Sequence, residues 1–106
     1  MGKTTDPKII QFVKKVGRKY KLDKAIFFGS RARGDHLKNS DYDILLVSPD
    51  YEGIFFTQRI AEMYQFWKYY PLEIEPLCYT PEEFSRKSKR LGIVQQAVKE
   101  GIEIPI

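Results

Sequence analysis

The sequence predicts an α/β (α+β) fold in which a small mixed β-sheet is flanked by helices. Three observations carry that expectation. Short runs rich in Ile, Leu, Phe and Val at Lys24–Phe28, Tyr42–Ser48 and Leu72–Tyr79 alternate with stretches whose apolar residues recur at helical spacing. The second and third runs are separated by about two dozen residues that include a helix, the length of a crossover between parallel neighbours. The first and second runs flank one loop whose two ends, Gly29 and Asp43, must meet at the same rim, so these strands run antiparallel.

In chain order, Asp6 and Pro7 start the first helix, a capping carboxylate followed by a first-turn proline. Ile9, Phe12, Val13, Val16 and Tyr20 share its apolar face, and Lys14, Lys15, Arg18 and Lys19 its solvated one. After the first strand, Gly29 lets the backbone turn sharply, and Ser30 caps a short helix through Arg31–Arg33. Gly34 permits a second turn. His36, Leu37, Lys38 and Asn39 continue as loop, and Ser40 holds Asp41 by a local hydrogen bond. Ser48-Pro49-Asp50 stops the second strand, and a helix runs from about Ile54 to Tyr69. Pro76 places the third strand at a sheet edge or gives it a bulge.

Thr80-Pro81-Glu82-Glu83 combines cap, first-turn proline and capping-box glutamate. That helix breaks near Gly92. Ile93–Glu100 is again helical and Gly101 stops it. The tail Ile102–Ile106 either adds a strand or packs on a helix. Cys78 reads as a small buried apolar residue. Tyr64, Phe66, Trp67, Tyr69 and Tyr70 exceed what one helix face can bury, so about half belong to the core and the remainder to a partner or homo-oligomer surface. Arg86, Lys87, Lys89 and Arg90 read as a solvated face, with RNA or partner contact as the alternative.

The 106 residues correspond to one domain, 1–106, with no room for a second substrate-binding domain. Apolar content of 42% supports a globular core over disorder. A net charge of +4 suits anionic ligands and leaves nucleic acid open as a partner. The single cysteine excludes an internal disulfide and a Cys-based zinc cluster. No apolar run approaches the roughly 18 residues of a membrane span, and MGKTTDPK has no apolar signal region. A cytoplasmic protein without membrane attachment is expected.

The chemistry concentrates between Gly29 and Asp43, GSRARGDHLKNSDYD. Asp41 and Asp43 lie one residue apart where the second strand starts. Alternation points both to one side, a costly like-charge arrangement unless a cation sits between them. Glu73 and Glu75, again one residue apart, open the third strand at the same rim. Backbone N–H groups of the Gly29-Ser30 turn and the guanidinium groups of Arg31 and Arg33 are phosphate-binding chemistry. Carboxylates from neighbouring strands beside such a turn suit Mg²⁺-assisted nucleotidyl transfer. Asp41 and Asp43 hold metal in that reading, with Glu75 as the favoured third acid and Glu73 the runner-up.

At these residues the sequence resembles the minimal nucleotidyltransferase family of the DNA polymerase β superfamily. The shared pattern is Gly29-Ser30-Arg31-Ala32-Arg33-Gly34 followed by Ser40-Asp41-Tyr42-Asp43, and the likeness spans roughly residues 24–48. It implies the nucleotidyltransferase fold, two Mg²⁺ ions, and ATP or another nucleoside triphosphate as donor. The family usually places aspartate on the third strand, where this chain has Glu73 and Glu75. Many relatives of this size resemble antitoxins encoded beside a helical HEPN ribonuclease toxin, which transfer AMP to a tyrosine of that partner. The competing expectations are a binding module that neutralises its partner by contact, and transfer to RNA ends or a small-molecule hydroxyl.

Overall fold

The first helix begins where the sequence supplies its cap. In the computed structural model, which describes residues 6–38 and 40–106, the Asp6 carboxylate accepts a hydrogen bond from the Lys8 N–H at 2.9 Å, and α1 runs Pro7–Lys19. Residues 1–5 and Asn39, part of the expected loop, lie outside the described residues. Ile9, Phe12, Val13 and Val16 of α1 are buried.

Four strands form one sheet in the order β3-β2-β1-β4, with β1 at Lys24–Phe28, β2 at Tyr42–Val47, β3 at Ile74–Tyr79 and β4 at Ile102–Glu103. β1 pairs antiparallel with β2, as the shared rim of their loop predicts, and also with β4; β2 pairs parallel with β3, as the connection length predicts. Strand alternation divides the core. Tyr42, Ile44 and Leu46 face α1 and α3 (Phe56–Met63), while Leu45, Val47 and Tyr79 face α5 (Ile93–Glu100) and Phe84 of α4 (Pro81–Ser88). The short α2 spans Ser30–Arg33.

β3 lies at a sheet edge, the first of the two arrangements Pro76 allows. The bond from the Tyr42 N–H to the Glu73 carbonyl sets the parallel ladder, so Glu75, Leu77 and Tyr79 bond to β2 and the backbone of Pro76 faces outward. The strand starts at Ile74, two residues later than expected.

α3 is shorter than the sequence predicts, ending at Met63 and passing through a 3₁₀ turn at Tyr64–Phe66. Phe66 and Trp67 both pack against the cluster beneath α1. Trp67 turns extended and donates from Nε1 to the Leu72 carbonyl at 2.8 Å. The tail adds a strand: the Ile104 N–H bonds to Ala25, and Ile104 is buried. A side chain at Gly101 would overlap Ile26 and the Ala97 carbonyl, so glycine permits this close return of the chain. Cys78 is buried, as expected. No described helix is long and apolar enough to cross a membrane.

A buried arginine ties three elements together. Arg59 of α3 donates to the carbonyls of Ile54 and Cys78 at 2.8 and 3.1 Å, and to Glu83 at 2.6 Å. Glu83 also completes the capping box with Thr80 at the start of α4. The hydrogen bond from Arg59, together with the Thr80 N–H, holds the Glu83 carboxyl below its ordinary 4.5 despite partial burial. Its contribution is therefore complete above pH 4.5 and is lost as the pH falls through the lower folded value. Glu83→Gln is expected to cost about 1–3 kcal/mol near pH 7. It should also flatten the loss of stability on acidification below pH 4.5, which urea melts at a series of pH values would show.

Candidate active site

The register brings the acids together. Asp43 pairs across the sheet with Phe28 on one side and with Glu75 on the other. Neighbouring strands lie about 4.8 Å apart, so Asp43 and Glu75 stand side by side at one rim. Asp41, two residues before Asp43, shares its face, on the side of the sheet covered by α4 and α5. Glu75 lies within hydrogen-bonding reach of both Asp41 and Asp43. Hydrogen bonding with Asp41, burial, and the negative charges of Asp41 and Asp43 push the Glu75 carboxyl up to about 7. Burial raises Asp43 as well, against the Glu75 hydrogen bond and the positive charge of Arg33.

Glu73 precedes β3 and is exposed, its carbonyl committed to the Tyr42 N–H. It remains within the electrostatic reach of Tyr64, whose phenol is raised by burial and by the charges of Glu73, Glu75 and Asp41. Tyr64 is 45% exposed at this rim, a neighbour of the acids that the helical pattern alone did not place there. Among the five aromatics, Phe66 and Trp67 join the core and Tyr70 is exposed.

Gly29 makes the close approach to the acids. Its φ is +84°, and a methyl group on it would overlap Asp43 Oδ2 and come within 3.0 Å of Cγ. The turn therefore rests directly on the carboxylate. Gly29, not Ser30, occupies the cap position of α2; Ser30 is its first helical residue, and no side chain caps the helix. Arg33 is exposed, donates to Asp35 at 3.1 Å and lends its charge to Asp43.

Arg31 is engaged differently from the expectation. Its guanidinium donates to the carbonyls of Ser40 and Lys38 at 2.6 and 2.9 Å and to the Tyr42 hydroxyl at 3.1 Å. It also stacks 4.2 Å from the Tyr42 ring centroid. Tyr42 in turn donates to Asp6 at the cap of α1. Arg31 thus fastens the loop that delivers Asp41. Ser40 Oγ accepts from the Leu37 N–H instead of holding Asp41. Tyr42 was the legible clue: lying between two aspartates that share a face, it had to reach the opposite core.

Among the described residues, no group of three or more His, Cys, Asp or Glu side chains is arranged to hold a metal ion. The donor chemistry nevertheless suits a hard divalent cation. Asp41, Asp43 and Glu75 are oxygen donors, and their mutual repulsion is what a cation relieves.

Residues 9–104 match the family model described as the nucleotidyltransferase domain. The chain belongs to the nucleotidyltransferase domain family. A relative from Methanocaldococcus jannaschii, provisionally named a protein adenylyltransferase, is 29% identical over 87 residues, covering 81% of this chain and 82% of its own. The crystal structure of a provisionally named nucleotidyltransferase from Sulfolobus solfataricus matches with a TM-score of 0.60 and 27% identity over 76% of this chain and 70% of that one. The mixed sheet and the family agree on a transferase that moves nucleotidyl groups.

Gly29→Ala should strain the turn and displace Asp43. A loss of about 1–3 kcal/mol in stability is expected from the backbone conformation, and a fall of about 100-fold in transfer from the misplaced carboxylate. Thermal melts and turnover measured on the same preparation check both.

Proposed function

We propose that this nucleotidyltransferase transfers AMP from ATP to a hydroxyl of a protein acceptor, a tyrosine on a HEPN-type helical partner whose toxicity it neutralises. The observation that carries the transfer chemistry is the convergence of Asp41, Asp43 and Glu75 against the Gly29 turn. The protein acceptor is supported by the printed name of the Methanocaldococcus jannaschii relative. Tyrosine and the HEPN partner rest on the resemblance of small family members to antitoxins.

The backbone N–H groups of Gly29 and Ser30 and the Arg33 guanidinium receive the triphosphate, while Arg31 keeps the loop in place. Asp41, Asp43 and Glu75 would hold Mg²⁺, two ions in the full site, and the metal supplies charge neutralisation for the phosphates and the crowded acids. Glu75, exposed on the edge strand beside Asp43, is placed to accept the acceptor hydroxyl's proton. The hydroxyl oxygen bonds to the α-phosphorus as the bond to the bridging oxygen breaks. Pyrophosphate then leaves with the electron pair.

Incubation with α-labelled ATP, Mg²⁺ and a co-expressed HEPN-type protein tests this. Asp41→Asn and Asp43→Asn should each lower transfer by about 100-fold or more with the melting temperature retained. Glu75→Gln should do the same, whereas Glu73→Gln should stay within about threefold of wild type; the reverse ranking would make Glu73 the third acid. Neutralisation that survives the double Asp41→Asn, Asp43→Asn change would replace transfer with inhibition by contact.

A further inference from the structure

A groove lies on the same side of the sheet as Asp43 and Glu75, where α4 passes into α5. It holds a cavity of about 150 Å³ lined by Tyr79, Lys87, Arg90, Leu91, Ile93, Val94 and the backbone of Gly92. Two of the lining side chains are cationic, and none is acidic. Lys87 places its ammonium 5.7 Å from the centroid of the Tyr79 ring, which is itself buried. Arg86 and Lys89 extend the positive run along α4 and its exit.

The rim is unusually apolar for a surface so charged. Leu91 is 94% exposed and Ile93 52% exposed. Ile93 also lines a second cavity of about 130 Å³, shared with Gly29, Arg33 and the acidic Glu100. One side chain therefore joins the basic groove to the turn that rests on Asp43. A segment lying along the groove would be led toward the acids.

We propose that this groove docks the protein acceptor through an acidic segment carrying apolar side chains. The inference rests on the protein-hydroxyl reading above and names the recognition surface that reading lacks. Carboxylates of the segment meet Lys87 and Arg90, and its apolar residues cover Leu91 and Ile93. RNA is the poorer fit. Single-stranded RNA needs exposed rings on which bases stack, and the one ring lining the cavity, Tyr79, is buried beneath Lys87.

The probe is a fluorescein-labelled synthetic peptide of alternating Glu and Leu, with a Gln-for-Glu peptide and an oligouridylate as comparators. Binding is followed by fluorescence anisotropy without nucleotide or metal, and by backbone amide NMR shifts. The Glu-Leu peptide should bind and perturb amides of residues 87–94. Lys87→Glu with Arg90→Glu should weaken it by about tenfold or more, and Leu91→Asp by a comparable factor. Lys14→Glu with Arg18→Glu, on the far helix α1, should change it less than about twofold.

Absence of peptide binding, equal loss with the α1 variant, or binding of oligouridylate alone would each overturn the proposal. The Asp41→Asn, Asp43→Asn protein should bind the peptide as wild type does. A failure of docking is thereby separated from a failure of the transfer chemistry.

Discussion

Carboxylates set side by side on neighbouring strands repel one another, and this fold spends its architecture on keeping three of them there. The parallel register fixes Asp43 against Glu75. Residue alternation brings Asp41 to the same face, and Gly29 closes the space beside Asp43. None of these placements lowers the electrostatic cost, which appears as a Glu75 carboxyl raised to about 7. A chain selected for stability alone would not gather acids this way. The surrounding structure over-determines the arrangement: the ladder holds the strands, and Arg31 clamps the loop between them through Ser40, Lys38 and Tyr42.

Much of this was legible from local chemistry. The capping signals at Asp6-Pro7 and Thr80–Glu83 name their own positions, because the required residue types are few. The parallel pairing of β2 with β3 followed from the length of their connection, the direction of β1 from the rim its loop shares with β2, and the facing of Asp41 and Asp43 from alternation. Pro76 left an edge strand or a bulge, because it has no N–H to give a neighbour, and the edge is what the sheet shows.

What the sequence did not disclose depended on contacts far apart in the chain. Beyond the early end of α3, Phe66 packs on the α1 cluster and the extended Trp67 reaches the Leu72 carbonyl, contacts that helical spacing alone does not register. Arg31 read as a phosphate ligand because its type and position suited that role. Only the folded loop shows that Ser40, Lys38 and Tyr42 take its donors. Arg59 does carry a local signal: it lies three residues after Phe56 and four before Met63, on the inward face of α3. A charged residue at such a position predicts a buried ionic anchor, and Glu83 supplies it.

The outer edge of β3 bears on how any acceptor is recognised. An extended chain approaching that edge would look for alternating backbone donors and acceptors to copy. Pro76 offers no donor, and the Cys78 carbonyl is already held by Arg59. The edge is thus a poor template for sheet extension, which guards against self-assembly into stacked strands. On the proposed reading, a protein presenting its hydroxyl beside this edge would be selected by the shape and charge of side chains, so specificity could diverge without altering the sheet.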